Sequence, residues 1–498
     1  MRPWTYICGC MSSRETHISN SSPRGRQIQV GTPSEGTPDT RFLVWAVIAT
    51  QFAPPFMFSG VAVALPSMGH SLGAGARALG LVETLFLAGS VAFLLPVGRY
   101  ADARDKRALY KLGLLSFALS SLLIALSSSV PFVLCIRFLQ GLTSAVFAVT
   151  GPAILAELVP PDRRGRAYGG SLGAIYGGLT LGPIIAGFLI DHWGWRSVFL
   201  ASAGLILVGY IAVRLLMPPR AQAPQASKVH LPSTLLVVAS ILALVAGSAS
   251  IGQGFWGYVG LLAGVAFAAA FVILQRRIAQ PLVDLGMLQR NATMRNALFI
   301  QMLLYMNAFS SIFLLSIYMQ VVLGHAAKTS GQVIALGSVL MALVAPLAGR
   351  LADRYPPRIL TSVGVAGVGI SAWLAIAFDA HSVLRSIAAM LAIQGVGFAL
   401  FSSPNMTVIM NSVALEASSM ASALSAKARS LGMVFGMLFT TILLSLHLGD
   451  APVAEHPLAF LPLMHLAFVC LALLTSFALA CSLLDGVMRR GRARSSRP

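Results

Sequence analysis

Two charged stretches, GRYADARDKR at 98–107 and GRLADRYPPR at 349–358, decide how this chain folds. Each lies between two long apolar segments. Gly98 and Gly349 are 251 residues apart, and Asp102 and Asp353 keep the same separation. A charged loop that recurs at a fixed distance in a mostly apolar chain indicates that the chain contains two copies of one structural unit.

The apolar segments around these loops have the composition of a membrane protein. Of the 498 residues, 56% are hydrophobic and 10% are charged, with a mean hydropathy of +0.79. A soluble domain has about a quarter charged residues, whereas a helix that crosses a bilayer needs about 20 predominantly apolar residues. Hydropathy predicts fourteen such spans, near residues 42–66, 78–98, 109–128, 130–156, 167–190, 197–217, 233–250, 254–274, 297–322, 331–349, 358–378, 383–411, 419–446 and 457–485.

The net charge of +19 follows the predicted topology. With a cytoplasmic N-terminus, 28 of the 35 Lys and Arg residues fall on the cytoplasmic side, and the outer loops hold only Arg77, Arg196, Lys328 and Arg385. This positive-inside bias predicts a multi-pass protein of a bacterial-type inner (cytoplasmic) membrane with both termini in the cytoplasm. The basic loops then face the anionic headgroups of the lipid bilayer, which argues against nucleic acid as a partner.

Polar segments divide the chain into predicted units. We expect a disordered cytoplasmic tail at 1–41, a six-helix bundle at 42–217, a cytoplasmic linker at 218–232, two extra transmembrane helices at 233–274, a cytoplasmic connection at 275–296, a second six-helix bundle at 297–485 and a basic cytoplasmic tail at 486–498. Gln140-Gly141 recurs as Gln394-Gly395, which supports the same repeat. Two homologous bundles that bind substrate between them are the architecture of many secondary transporters.

Other classes of function find little support in the residues. The nine histidines form no i,i+4 pair, and the five cysteines suggest neither a disulfide framework nor a metal site. A Walker loop is missing from the sequence. The pattern Gly-x-Ser-x-Gly occurs at 69–73 and 169–173, just after one predicted span and inside another, and neither place is the strand-to-helix turn of a nucleophile elbow. We therefore expect no catalytic residue, no metal and no cofactor, and the sequence does not predict an enzyme.

Four motifs resemble those of the major facilitator superfamily. The two charged loops look like its Gly-x-x-x-Asp-Arg-x-Gly-Arg-Lys motif, and RFLQG at 137–141 is similar to its Arg-x-x-Gln-Gly motif. GLTLGPIIAG at 178–187 resembles the motif of its proton-coupled exporters, and WGWRSVF at 193–199 fits the start of the sixth span. The resemblance, with fourteen spans, points to the fourteen-helix drug:proton antiporter family. It implies an all-α major facilitator fold with two six-helix bundles and two extra central helices.

The resemblance also implies a role for the charged loops as a cytoplasmic latch between the bundles. Ala103 and Asp105 depart from the motif in the first loop, as do Pro356 and Pro357 in the second. The alternative is that these basic loops only enforce topology. The latch residues are Gly98, Asp102, Arg104, Arg107, Gly349, Asp353, Arg354 and Arg358, with Glu157 as a partner for Arg104 or Arg107.

The exporter-type motif lies on a glycine-ridged fifth span. Small residues at intervals of four let helices approach closely, and a proline removes a backbone hydrogen bond and bends the helix. In the family such a helix seals the bundle interface while the bundles rock; ordinary tight packing is the alternative. The motif residues are Gly178, Gly182, Pro183 and Gly187, and Gly169, Gly173 and Gly177 extend the ridge.

Charges inside the spans carry most of the functional information, because each needs a partner or a water-lined cavity. Glu83 is the one carboxylate that falls clearly within a span, at a depth similar to that of Arg137. We interpret Glu83 as the group that takes up the proton and Arg137 as its partner. The alternative is that Glu83 reaches the outer surface. In the second copy, Leu391 occupies the position of Arg137.

The predicted substrate site is poor in acids. Met57 and Ala62 occupy positions where the family usually has Asp and Asn. We therefore expect a small amphipathic substrate, neutral or anionic, that leaves the cell in exchange for protons. A permease for one defined metabolite such as an organic anion, and a transport-inactive membrane sensor or scaffold, are the alternatives; a periplasmic adaptor protein stays an open question. Candidates to line the cavity are Gln140, Gln301, Asn307, Gln394, Asn405, Lys427 and Arg429.

Overall fold

A computed structural model describes residues 38–160, 163–217, 230–278, 285–413, 418–455 and 457–495. In these ranges the chain is helical, and fourteen segments are long and apolar enough to cross a membrane. The predicted fold class and number of spans are thereby confirmed. Most of the predicted tail at 1–41 and of the predicted linker at 218–232 lies outside the described residues.

Sixteen α-helices follow one another within these described ranges. They are α1 (Pro38–Thr50), α2 (Ala53–Leu72), α3 (Ala76–Ala103), α4 (Lys106–Ala125), α5 (Val130–Leu158), α6 (Arg164–Trp193), α7 (Arg196–Leu216), α8 (Leu231–Ser250), α9 (Phe255–Arg277), α10 (Leu285–Arg290), α11 (Ala292–Ile317), α12 (Ala327–Arg354), α13 (Pro357–Ala375), α14 (Leu384–Met410), α15 (Ser418–His447) and α16 (Pro457–Ser495). A short π-helix, Tyr318–Val322, extends α11.

Two helices depart from the predicted boundaries. The first span is broken into α1 and α2, because Pro54 and Pro55 supply no backbone N–H to continue α1 and instead suit the first turn of a new helix. At the other end of the chain, α16 continues to Ser495 and so runs through most of the predicted basic tail. The short helix α10 lies in the predicted cytoplasmic connection and is not a candidate span.

The two halves of the chain pack in the same way. In the first half α3 packs on α5, α4 on α7 and α2 on α6; in the second half α12 packs on α14, α13 on α16 and α11 on α15. The match extends to single atoms. A Cβ on Gly141 would collide with the carbonyl of Phe86, and a Cβ on Gly395 would collide with the carbonyl of Gly337. Both contacts join equivalent positions of the repeat.

The halves meet along two seams, where α3 packs on α15 and α6 packs on α12. The helices α8 and α9 form a hairpin beside the first seam, and α8 contacts both α3 and α15. The turn of the hairpin is fixed to α15, since the Ser445 hydroxyl donates to the carbonyl of Ala249 over 2.7 Å. The two extra helices therefore cover one seam from the side as well as linking the halves.

Candidate functional site

The positive-inside rule assigns the turns at 73–75, 194–195, 323–326 and 448–455 to the outer side of the membrane. The two halves of the protein touch at this outer side. Arg77 Nη2 lies 2.6 Å from Asp450 Oδ1, and the hydroxyls of Thr84 and Thr441 share a 2.9 Å hydrogen bond. The Ser316 hydroxyl donates to the Ala62 carbonyl over 2.7 Å. These contacts, all between the two halves, close the outer side.

Toward the opposite side the second seam opens. Gly169 and Gly173 on α6 have no neighbouring atom within 4 Å of the position of a Cβ. The arrangement is therefore inward-facing: closed at the outer side and separated at the predicted cytoplasmic side.

The exporter-type motif positions α6 between the two halves. A Cβ on Gly178 would meet the carbonyl of Phe52, and a Cβ on Gly182 would meet the hydroxyl of Ser59, so these glycines let α6 lie directly on the first span. Further along, a Cβ on Gly187 would lie 2.7 Å from the carbonyl of Ala327 on α12. One face of the motif thus packs within its own half and its last turn packs against the other half.

A cavity lies between the halves below the outer closure. It encloses about 670 Å³, its open mouth included, and its walls come from α2, α6, α11, α12 and α14. The walls are mainly aromatic and aliphatic, and the Tyr305 and Phe398 rings meet edge to face with centroids 4.9 Å apart. Among the described residues no charged side chain lines the cavity. Its polar side chains are Ser59, Tyr176, Tyr305, Ser338 and Gln394.

Of the predicted cavity residues, Gln394 lines this cavity and several others lie one layer behind it. Asn307 accepts a 3.1 Å hydrogen bond from Gln394, and Gln301 accepts one of 3.1 Å from Ser425. Asn405 donates to the carbonyl of Ala297 over 3.3 Å and lines a separate, smaller cavity.

The two predicted cations of α15 lie nearer the inner side. Arg429 acts electrostatically on the Tyr305 phenol, which lines the cavity. Ser425 and Gly432 on the same face of α15 both contact α11, so Arg429, which lies between them, is directed toward that helix. Lys427 is within electrostatic reach of Arg99 on α3 instead. Arg429 is therefore the cation beside the cavity.

Glu83 and Arg137 are brought together in the core of the first half. Both side chains are 0% exposed, and Arg137 Nη2 lies 3.2 Å from Glu83 Oε2. Arg137 also donates from Nε to the Val82 carbonyl over 3.0 Å and from Nη1 to Gln140 Oε1 over 2.8 Å. The Phe86 ring covers the guanidinium at 4.5 Å. In the described part of the chain, neither carboxylate oxygen of Glu83 accepts a hydrogen bond.

Gln140 was predicted for the cavity and lies in this buried network instead. It is one turn from Arg137 on α5, and its amide nitrogen donates to the Ser121 hydroxyl of α4 over 2.7 Å. Residues three apart on a helix share a face, so the face of α5 that carries Arg137 also carries Gln140 into the bundle core.

The ion pair has an apolar counterpart in the second half. The offsets of the repeat place Ile334 at the position of Glu83 and Leu391 at the position of Arg137. Both are buried and both line the central cavity. The fold thus duplicates the helices, and the charge is present in the first half alone.

The two loop glycines each pack within their own half. The nearest atom to a Cβ on Gly98 would belong to Val149, and the nearest to a Cβ on Gly349 to Ser403, again at equivalent positions. Arg107 Nε lies 3.8 Å from Glu157 Oε2, which is the predicted partner. Arg104 lies over the Tyr100 ring at 5.8 Å, Arg354 is exposed, and Arg358 lines two small cavities. The side chains of Asp102 and Asp353 lie outside the described part.

The aromatic side chains of the cavity were missed by sequence reasoning. Tyr176, Tyr305, Phe309 and Phe398 all line it. Aromatic residues are frequent in these spans, and a single sequence does not distinguish a ring that faces lipid from one that faces a cavity. The one available signal was the position of Tyr176 inside the glycine ridge, where a large polar ring interrupts small residues.

Comparison with known proteins agrees with this geometry. A sequence model described as Major Facilitator Superfamily matches residues 47–276 and 297–497. The chain is 28% identical over 384 residues to the multidrug resistance protein Stp of Mycobacterium tuberculosis, covering 76% of this chain and 70% of that protein. It is 27% identical to the riboflavin transporter RibZ of Clostridioides difficile, covering 72% and 78%.

A solved structure gives the same fold. The bacterial homolog of the human lysosomal transporter Spinster, in an inward-facing and unoccupied conformation, matches with a TM-score of 0.66. The match covers 90% of this chain and 97% of that chain at 16% identity. At this identity the likeness concerns the fold alone.

Proposed function

The chain belongs to the major facilitator superfamily, and we propose that this membrane transporter exports small amphipathic molecules, neutral or anionic, in exchange for protons. Export proceeds by alternating access, in which the halves rock about the cavity between them. The inward-facing form takes substrate from the cytoplasmic side. Opening of the outer side then requires the contacts of Arg77 with Asp450 and of Thr84 with Thr441 to separate.

The buried pair of Glu83 and Arg137 is the observation that carries the proton coupling. A proton that binds the Glu83 carboxylate removes one partner of the pair. Arg137 then keeps its bonds to Gln140 and Val82 but lacks a counter-charge, and breaking a buried ion pair in this way costs about 3–5 kcal/mol. The helices α3 and α5 relieve this cost by repacking. Because Thr84 follows Glu83 directly and bonds Thr441, that repacking acts on the outer closure.

The cavity supports a neutral or anionic substrate. Among the described residues its walls contain no carboxylate that would offset a cationic drug, and Arg429 acts electrostatically on Tyr305 in the wall. Its aromatic and methionine-containing walls suit apolar molecules of varied shape. Similarity to a relative that is named a multidrug resistance protein favours a range of substrates over one.

The proposed topology follows from charge, and the proposed gating follows from the resemblance of the two loops to the family motif. Both termini lie in the cytoplasm of a cell whose inner membrane holds the protein, and the loops at 98–107 and 349–358 hold the inner side closed when the outer side opens. In that state the loops meet across the two halves. In the inward-facing structure Gly98 and Gly349 each pack within their own half, and Arg107 lies 3.8 Å from Glu157.

The test is substrate flux in proteoliposomes under an imposed pH gradient. We expect several aromatic fluorescent compounds, neutral and anionic, to accumulate against their gradients in a pH-dependent manner. Glu83→Gln and Arg137→Ala should abolish this dependence. Asp379→Asn is the matched control, because it also removes a carboxylate but from an exposed outer loop. Flux that is indifferent to the pH gradient, or undiminished in Glu83→Gln, would rule out the coupling.

A permease for one defined metabolite is the second candidate, and the similarity to the riboflavin transporter favours it. The same panel separates the two functions. Transport of one compound to the exclusion of the others identifies the permease, whereas a transport-inactive sensor or scaffold gives no flux with any compound.

A further inference from the structure

A second cavity opens at the outer side above the closure. This vestibule encloses about 1220 Å³, its open mouth included, and lies between α2, α3, the end of α11 and the turn at 452–455. Its titratable side chains are His70 and Glu455, which are both exposed. Gln320 lies on its wall and donates to the Val63 carbonyl over 3.0 Å, which joins the two halves at the base of the vestibule.

Leu79 forms the part of the vestibule floor that belongs to α3. Its side chain is 3% exposed and packs on α2, with Cδ1 3.2 Å from the position of a Cβ on Gly69. The tight fit is possible because Gly69 has no side chain. Leu79 therefore closes the space between α2 and α3 at this level.

Glu83 lies one helical turn below Leu79. Residues four apart on a helix share a face and are separated by about 6 Å along the axis. The Glu83 carboxyl group is fully buried, and its oxygens lack a hydrogen-bond donor among the described residues. The charged group against it is Arg137 on α5. Along α3, one leucine side chain thus lies between a buried carboxylate and a cavity that is open at the outer side.

The central cavity does not offer a comparable route. It is lined from α2, α6, α11, α12 and α14, and no described residue of α3, α4 or α5 reaches it. On its inner side Glu83 is followed by Phe86, whose ring covers Arg137, and by Leu87, which is buried. The shortest path along α3 from Glu83 to an open cavity leads outward.

From this geometry we infer that the outer vestibule is the entrance through which protons reach Glu83, and that the Leu79 side chain is the plug between them. The inference rests on the proposed proton coupling. In the inward-facing structure the plug is seated, so the carboxylate exchanges no proton with the outside. When α3 separates from α15 and shifts against α2, the Leu79 side chain no longer packs on Gly69. Water from the vestibule then delivers a proton to a Glu83 oxygen.

Two leucines on α3 allow a matched test. Leu79 and Leu87 lie one turn before and one turn after Glu83, and both are buried. Leu79→Ala and Leu87→Ala remove the same atoms on opposite sides of the carboxyl group. The probe is a membrane-impermeant quaternary-ammonium carbodiimide with glycine methyl ester, which converts an accessible carboxyl group into an amide that mass spectrometry quantifies at each residue.

Labelling is compared in right-side-out and inside-out membrane vesicles. Leu79→Ala should raise the labelling of Glu83 several-fold from the outside, while Leu87→Ala stays at the wild-type level. Glu455 is the internal reference, because its exposed carboxyl group reports that the probe has reached the vestibule. Leu79→Val, which removes less volume, should give a smaller rise in the same direction even if the alanine variant is poorly folded.

Two results would overturn the inference. One is an equal rise in Leu79→Ala and Leu87→Ala, and the other is labelling of Glu83 that rises from the inside alone. The measurement involves no transport. A protein with the expected labelling and no flux driven by a pH gradient would therefore reject the proposed function, and a protein with that flux and the wrong labelling would reject the entrance.

Discussion

The internal repeat supplies its own template for testing the ion pair. Replacing Glu83 with Ile and Arg137 with Leu copies the apolar pair Ile334 and Leu391 of the second half. Removing one partner of a buried ion pair costs about 3–5 kcal/mol, whereas replacing both partners with apolar residues is neutral or stabilising by about 1–4 kcal/mol. Each single variant should therefore lose stability, and the double variant should recover most of it.

The structure sets the size of this recovery. In the double variant the Gln140 oxygen loses the 2.8 Å bond from Arg137, and a buried unsatisfied acceptor costs about 1–3 kcal/mol. This cost offsets the gain from removing two buried charges. We expect the double variant within about 2 kcal/mol of wild type and each single variant about 3–5 kcal/mol below it.

Two assays decide the outcome. Titration with a denaturing detergent, followed by circular dichroism, gives the loss of stability for the four proteins of the cycle. Flux in proteoliposomes gives the function, and the double variant should fold without transport that depends on the pH gradient. A double variant no more stable than the worse single variant would show that the pair is not an energetic unit. Retained pH-dependent transport in that variant would refute the coupling.

Three further predictions concern the seams and the cavity. Gly182→Ala places a methyl group against α2 and should lower stability by about 1–3 kcal/mol, whereas Gly169→Ala, which has open space around it, should be neutral in the same denaturation assay. Arg77→Ala removes the outer ion pair with Asp450 and should favour the outward-facing form, which cysteine-accessibility measurements at the outer cavity would detect; unchanged accessibility would contradict this role. Arg429→Gln should weaken the binding of an aromatic carboxylate to the purified protein while leaving the matching alcohol unaffected, and equal weakening of both ligands would argue against charge recognition.

Hydropathy and the repeated loop were sufficient to predict the fold. Fourteen apolar segments leave little choice for a helical membrane protein, and the spacing of the two loops predicts which helices are equivalent. The pairing of Glu83 with Arg137 could also be predicted, because a charge inside the membrane needs a partner and these two opposite charges lie at similar depth. In each case one large free-energy contribution restricts the possible structures. For the fold it is the transfer of a whole apolar helix into the membrane, and for the ion pair it is the burial of a charge.

The residues that line the cavity were harder to predict, because the rotation of each helix about its own axis determines which of its side chains face the cavity. Gln140 and Gln394 occupy equivalent positions of the repeat, yet the first bonds Ser121 in the bundle core and the second lines the cavity and bonds Asn307. From sequence spacing alone, the two glutamines are expected to have the same environment. Their environments differ because Arg137 holds Gln140 in a network that Leu391 does not offer to Gln394.

The equivalence of α3 and α12 gives the proposed mechanism a way to keep the proton apart from the substrate. Gly80 and Gly331 occupy the same position of the repeat, and each lets its helix approach the other half at its own seam. One turn later the helices diverge: Ile334 becomes part of the wall of the substrate cavity, while Glu83 turns into the bundle core. A charge at Ile334 would face the cavity, whereas the charge at Glu83 is buried against Arg137. In the proposed mechanism, the proton therefore acts on the outer closure without meeting the exported molecule.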